Sequence, residues 1–336
     1  MSRKAPPSSP ESDFISLSLS RHIYGPVLSR RLGRSLGVDI LPPKTCNLDC
    51  IYCQLGPTKK LARARRHYFR KEEILEAIRI SLRRTDTVDF ITFSGSGEPT
   101  LNSHLGQLIR QIKKITKIPV AVLTNSLLLT DAAVREELAA ADLVVPSLDA
   151  ATQEIFLKVN RPAAFVQIEK IIEGLRCFRQ EFHGKIWLEI MLVKEVNDDT
   201  AHLEKLKAAV DLINPDKVQL NTVVRPPSEP WVKPVDDGEL NEALKLIGPR
   251  AEVITEMRKK PALIDPKDLT SLIFNVLRRR PASSDELVGM LGATSARVNE
   301  ALQALLREEK IVARWHGDRL LYQVKRGKSL CENQPT

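Results

Sequence analysis

From residue 36 onward, short apolar runs alternate with helical patterns about six times, and few folds accept that order. Leu36–Leu41, Val88–Phe93, Pro119–Leu123, Leu143–Val145, Ile186–Val193 and Val218–Val223 read as strands. Lys71–Arg83 carries Ile74, Leu75, Ile78 and Leu82 at helical spacing. Leu105–Ile115, Asp131–Ala140, Phe165–Phe182 and Ala201–Ile213 read as further helices. Strand–helix repetition builds a parallel α/β sheet with right-handed crossovers. Sites in such architectures lie at the carboxyl ends of the strands.

The residues with chemistry follow those strands. After the first comes Lys44–Thr45–Cys46–Asn47–Leu48–Asp49–Cys50–Ile51–Tyr52–Cys53, with cysteine gaps of three residues and then two. Three thiolates this close can hold one side of a cubic iron–sulfur cluster and leave the fourth iron open. A zinc site is the alternative, but zinc normally takes a fourth protein ligand. His67 is the nearest histidine after the loop, and Cys177 and Cys331 lie far along the chain. After the second strand comes Ser94–Gly95–Ser96–Gly97–Glu98–Pro99–Thr100, whose small residues let backbone approach a ligand closely. Thr124, Asn125 and Ser126 end the third strand, and Ser147 and Asp149 the fourth. Glu189 alternates with Trp187 and Met191 on the fifth, and Gln219 and Asn221 share one face of the sixth.

Cys46, Cys50 and Cys53, with Tyr52 before the last, resemble the cysteine motif of the radical S-adenosylmethionine superfamily. The resemblance implies a partial (β/α)6 TIM-like barrel and an enzyme that uses a [4Fe–4S] cluster and S-adenosylmethionine. The three cysteines would bind the cluster, whose electron would cleave the cofactor to a 5′-deoxyadenosyl radical that abstracts hydrogen from substrate. Gly95, Ser96, Gly97 and Glu98 resemble the segment that contacts the methionyl amine. Tyr52, Thr124, Asn125, Ser147, Asp149 and Glu189 become further candidate contacts to the cofactor. Lys158–Asn160–Arg161 resembles a stretch of related proteins in which Arg161 would meet the cofactor carboxylate. Ile23–Val27 and Arg30–Gly33 resemble the group of wyosine-forming tRNA enzymes, which carry a second cluster from cysteines near their N-terminus. This chain has no cysteine before Cys46. The resemblance also implies an electron donor such as flavodoxin or ferredoxin.

Arg225–Pro234 is too proline-rich for a helix or an inner strand. It is expected to close the barrel mouth with Trp231 turned inward. From about residue 265 three short helices, Leu269–Leu277, Ser284–Met290 and Ser295–Glu308, precede a hairpin around Gly317–Asp318. That order resembles a winged helix domain, a module that docks nucleic acid or protein. The expected division is a disordered leader over 1–14, a barrel over 15–235, a connecting segment over 236–264, the winged helix over 265–326 and a flexible tail over 327–336.

The net charge of +9 is concentrated in Lys59–Arg70, Arg278–Arg280 and Lys325–Lys328. Such patches favour an anionic partner, with tRNA or another RNA first. A protein, peptide or small metabolite is the alternative substrate, with the winged helix docking a protein partner. A redox-sensing DNA-binding regulator is a third reading. Five cysteines, three in one loop, form no disulfide framework and imply the reducing cytoplasm. Neither a membrane span of about 18 apolar residues nor a secretory signal is expected.

Overall fold

The computed structural model of the 336-residue chain describes residues 21–85, 87–164, 166–254 and 269–325. The expected leader over 1–14 and tail over 327–336 lie outside the described residues. The chain divides into two compact units, Met1–Lys259 and Lys260–Thr336.

The first unit is built on one eight-stranded sheet in sequence order. β1 (Ile23–Ser29) pairs antiparallel with β2 (Gly33–Val38). β3 (Phe90–Phe93), β4 (Val120–Thr124), β5 (Leu143–Pro146), β6 (Lys185–Leu192), β7 (Lys217–Thr222) and β8 (Ala251–Val253) follow, each parallel to its predecessor. Helices make the crossovers: α1 (Lys71–Arg83), α2 (Leu105–Ile115), α3 (Ala132–Leu138), α4 (Gln153–Val159), α5 (Ile168–Glu181), α6 (Thr200–Ile213) and α7 (Asp237–Ile247). Their ends follow ordinary helix chemistry. Glu72 and Glu73 open α1 and Arg83 closes it, matching the helix dipole. Asp236 and Glu239 cap α7 reciprocally.

Alternation along the strands separates two faces. Leu36, Val38, Ile91, Phe93, Val120, Val122, Ile186, Leu188, Val218 and Leu220 share one core with residues of the helices. The other face is the inner one. Its lower part is apolar: Leu32, Ala121, Leu143 and Val145, with Phe90, Leu123 and Trp187 against them. Strands in a flat sheet lie about 4.8 Å apart, which would leave β2 and β6 roughly 19 Å apart. Yet Arg31, in the β1–β2 turn, forms an ion pair with Glu189 of β6. The sheet therefore curls, and the hairpin turn lies on its concave side.

Six strands were expected in this unit, and its sheet has eight among the described residues. β1 was missed because it contains Gly25 and Pro26, and β8 because it has three residues. The expected first strand, Leu36–Leu41, sits three residues early at Gly33–Val38. The helix expected over 165–182 is α5, Ile168–Glu181. Within the expected connecting segment over 236–264, α7 packs on α6 and β8 extends the sheet.

The second unit contains α8 (Leu269–Leu277), α9 (Ser284–Leu291) and α10 (Ser295–Arg307). An antiparallel hairpin follows, β9 (Ile311–His316) and β10 (Arg319–Val324), and Ala282 bridges to Tyr322. Ser283 and Glu286 form a capping box on α9. Ile273, Leu287, Val298, Leu302, Leu305, Ile311 and Leu321 are buried. No described helix is long and apolar enough to cross a membrane.

Gly174 in α5 gives the first test. Alanine normally favours a helix over glycine by about 1 kcal/mol. Here a Cβ would lie 2.6 Å from the carbonyl oxygen of Leu129, a backbone atom with little room to give. Gly174→Ala is expected to lower the urea midpoint of the unit, by a net 1–3 kcal/mol on the scale of overpacking. A raised midpoint would refute the close packing of α5.

Candidate active site

The cysteine loop is fixed by backbone bonds on several sides. The Thr45 N–H donates to the Pro42 carbonyl at 3.3 Å, and Thr45 pairs with Gly97 in a parallel bridge. The Glu98 N–H donates to the Thr45 carbonyl at 3.0 Å. A Cβ on Gly97 would fall 1.7 Å from that carbonyl oxygen, so only glycine lets the two loops meet. On the other side, the Asp49 N–H donates to the Asn160 carbonyl and the Ile51 N–H to the Val159 carbonyl, at 3.0 and 2.9 Å. Ile51 is fully buried with Val159, Val193, Val196, Val223 and Val232.

Cys46, Cys50 and Cys53 are free thiols, each partly buried. Each has its own nitrogen donor from a different part of the chain. Asn125 Nδ2 lies 3.6 Å from Cys46 Sγ, Asn160 Nδ2 lies 3.4 Å from Cys50 Sγ, and Lys44 Nζ lies 2.9 Å from Cys53 Sγ. Burial pushes the Cys46 thiol up to about 12 and the Cys50 thiol well above its ordinary range. Binding iron must therefore displace protons, and the donors then face thiolates. Among the described residues, no three His, Cys, Asp or Glu side chains are grouped closely enough to hold a single metal ion. Cluster thiolates sit on separate iron corners and stand farther apart than the ligands of one ion. His67 is engaged elsewhere, hydrogen-bonded to Ser103 Oγ at 2.8 Å and stacked on His104. Soft ligands, a fixed loop and a donor at each sulfur fit a [4Fe–4S] cluster.

Two buried carboxylates brace the mouth. Glu98 is 3% exposed and accepts from Thr100 N and Oγ1, Thr124 Oγ1 and Asn125 N, at 3.0, 2.6, 2.7 and 2.6 Å. Burial raises its pKa and these donors pull it back. Asp149 accepts from the Tyr52 hydroxyl at 2.5 Å, Asn160 Nδ2 at 2.8 Å and the Met191 N–H at 3.0 Å. Burial raises its carboxyl to about 6 against those donors. Both carboxylates are thus held by several protein donors and tie the loops of the mouth together. Ser96 Oγ donates to Asp39 Oδ2 at 2.5 Å, and Gly95 lies over the same carboxylate. Asn125 also bonds Asn47 Oδ1 at 2.7 Å, and Ser126 Oγ bonds the Ser147 carbonyl at 2.7 Å. Asn125, Ser147, Asp149 and Asn160 line one small cavity.

Deeper in, Glu189 points to the inner face, where it pairs with Arg31 and accepts from Asn221 Nδ2 at 3.0 Å. Gln219 bonds Glu252 at 3.0 Å. Arg161 is bound to Glu229 at 2.5 Å and lies 3.7 Å from Asp49, a loop-bracing position. The segment over 225–234 does reach the cysteine loop: the Glu229 N–H donates to the Ile51 carbonyl at 3.0 Å. The expectation for Trp231 fails, since it is 48% exposed. Val232, its neighbour, is the residue that packs on Ile51. Sequence reasoning missed Arg31, Lys44, Asn47 and Asp39 as site residues. Lys44 and Asn47 flank Cys46 and were within reach; Arg31 became visible only once the sheet curled.

A family model described as the Radical SAM superfamily matches residues 40–206. A protein of Brachyspira hyodysenteriae named GTPase Obg is 37% identical over 298 residues, which are 87% of this chain and 43% of that protein. The chain therefore spans less than half of that relative. The UPF0026 protein of Helicobacter pylori is 34% identical over 307 residues, 89% of this chain and 96% of the relative. The crystal structure of a radical SAM methyltransferase from Sphaerobacter thermophilus aligns with a TM-score of 0.51 at 19% identity, covering 65% of each chain, a likeness of fold.

Gly97→Ala is expected to abolish cluster loading while far-UV circular dichroism stays near wild type, because the clash separates two loops and leaves the sheet alone. Normal iron and sulfide content in that variant would refute the role of the Thr45–Gly97 contact. Asp149 carries a pH prediction. Between about pH 4 and about 6 the folded state holds a proton that the unfolded state has lost. Stability from this group is therefore lost as pH rises through that window, by roughly 3 kcal/mol, and levels off above it. Urea unfolding of wild type and Asp149→Asn from pH 4 to 7 should differ by that slope; parallel curves would refute it.

Proposed function

The chain belongs to the UPF0026 family, within the radical SAM superfamily, and on that premise we propose that its substrate is an RNA, with tRNA first. It is a radical SAM enzyme whose cofactors are a [4Fe–4S] cluster and S-adenosylmethionine. When bound, they supply a carbon-centred radical that takes a hydrogen atom from the substrate. The protein's residues position the cofactors and the target and keep water out.

The observation that carries the RNA reading is the basic rim of the mouth. The segment over 59–70 leaves the cysteine loop, where the Ala62 N–H bonds the Cys46 carbonyl at 2.8 Å. It then runs over the end of β3, where the Arg66 N–H bonds the Leu101 carbonyl at 2.9 Å. Arg65 is committed, paired with Glu137 and bonded to the Thr100 carbonyl. Lys59, Lys60, Arg63, Arg66 and Arg70 stand exposed. A row of cations beside a reactive centre suits a phosphate backbone whose base is presented to the mouth. The second unit, three helices followed by a hairpin, supports the same reading as a winged helix that adds contact area. Trp315 on its hairpin is 71% exposed, a surface suited to stacking on a base.

A small metabolite is the second reading, favoured by Arg31 on the inner face, whose Nε is buried without a hydrogen-bond partner beside its ion pair with Glu189.

Fluorescence anisotropy with unfractionated tRNA tests the first reading. Five phosphate contacts predict a slope of log affinity against log salt between about −3.5 and −4.5. Arg63→Glu with Arg66→Glu should flatten that slope by about two contacts, to between about −2 and −3. Mass spectrometry of tRNA nucleosides from cells with and without the gene should then show one missing modification. Absence of tRNA association at low salt would overturn the reading, as would an unchanged slope in the double variant.

A further inference from the structure

We propose that Lys44 sets the reduction potential of the cluster through its contact with the Cys53 sulfur. The inference concerns electron entry and stands whether or not the substrate is RNA.

The three cysteine sulfurs are not equivalent in what faces them. Cys46 and Cys50 each face a neutral amide, from Asn125 and Asn160. Cys53 faces an ammonium, and at 2.9 Å this is the shortest of the three contacts. The placement is specific. Lys44 is nearest in sequence to Cys46, yet its side chain reaches the last cysteine of the loop. Its backbone is in the left-handed region, with φ at +58°, which few non-glycine residues adopt. The conformation is held from both sides, by the bond from Thr45 N to the Pro42 carbonyl and by the pairing of Thr45 with Gly97. The same pairing that joins the two loops therefore aims the ammonium at Cys53.

The chemistry of that contact has a definite sign. Reduction adds one electron, delivered by an external one-electron carrier protein, with no bond made or broken and no proton taken up. The negative charge on the cluster and its thiolates rises by one. A donor to a ligand sulfur stabilises the reduced state more than the oxidised one, raising the potential. Charge-assisted donors are roughly twice as strong as neutral ones, so Lys44 outweighs either asparagine. An ammonium also acts as a full charge at short range in a partly buried site, where solvent screens it weakly.

The test is an electron paramagnetic resonance redox titration of the reconstituted full chain, with iron and sulfide measured on each sample. Lys44→Met should lower the midpoint enough to change the oxidised-to-reduced ratio tenfold at a fixed potential, about 59 mV for a one-electron couple. Lys44→Arg keeps the charge and should stay near wild type. Asn125→Ala should move the midpoint in the same direction by less. An unchanged midpoint in Lys44→Met with full iron content would overturn the proposal. So would failure of both Lys44→Met and Lys44→Gln to hold iron, which would make Lys44 a folding residue. Equal shifts in Lys44→Met and Lys44→Arg would also overturn it, by removing charge as the cause.

Discussion

The pairing of Thr45 with Gly97 is the contact on which the site depends. It is one parallel bridge, but it joins the loop after β2 to the loop after β3 at a distance that only a glycine permits. On one side it fixes where Cys46 begins; on the other it starts the turn that buries Glu98. Glu98 then gathers Thr100, Thr124 and Asn125. Asn125 carries the connection back to Cys46. The ends of β2, β3 and β4 are thus tied into a closed circuit through a single buried carboxylate. Removing a buried acceptor of this kind strands several donors at once, each costing about 1–3 kcal/mol.

A second circuit serves the other half of the mouth. Asp149 ties Tyr52 of the cysteine loop to Asn160 after α4 and to Met191 on β6. Asn160 in turn faces Cys50. The two circuits meet in the cysteine loop, which is therefore held from both flanks by groups that were not recruited for metal binding. The site is preorganised by ordinary buried hydrogen bonding, at positions where the parallel sheet brings its loops together.

The strands from β3 to β7 were legible because their alternation with amphipathic helices is long and regular. The cysteine loop was legible because its chemistry is local in sequence. Candidates such as Glu98, Asp149 and Arg161 stood in the right loops, but their partners did not show. The donors to Asp149 come from three separate segments, and no local pattern encodes them. Arg31 was hidden for a similar reason. Its importance depends on how tightly the sheet curls, a property of all eight strands together. Trp231 was misread because a large apolar residue does not by itself specify which neighbour turns inward; here Val232 did.

The inner face carries an arginine and a glutamate already paired with each other, and asparagine already bonded to the same glutamate. Enzymes that create or destroy charge need dipoles aimed at the place where charge will appear. Beside its ion pair with Glu189, Arg31 keeps a buried Nε with no hydrogen-bond partner, so the inner face still holds one uncommitted donor. The Arg31–Glu189 pair thus braces the concave side from the β1–β2 turn to β6, and leaves within that brace one buried donor free to meet whatever enters.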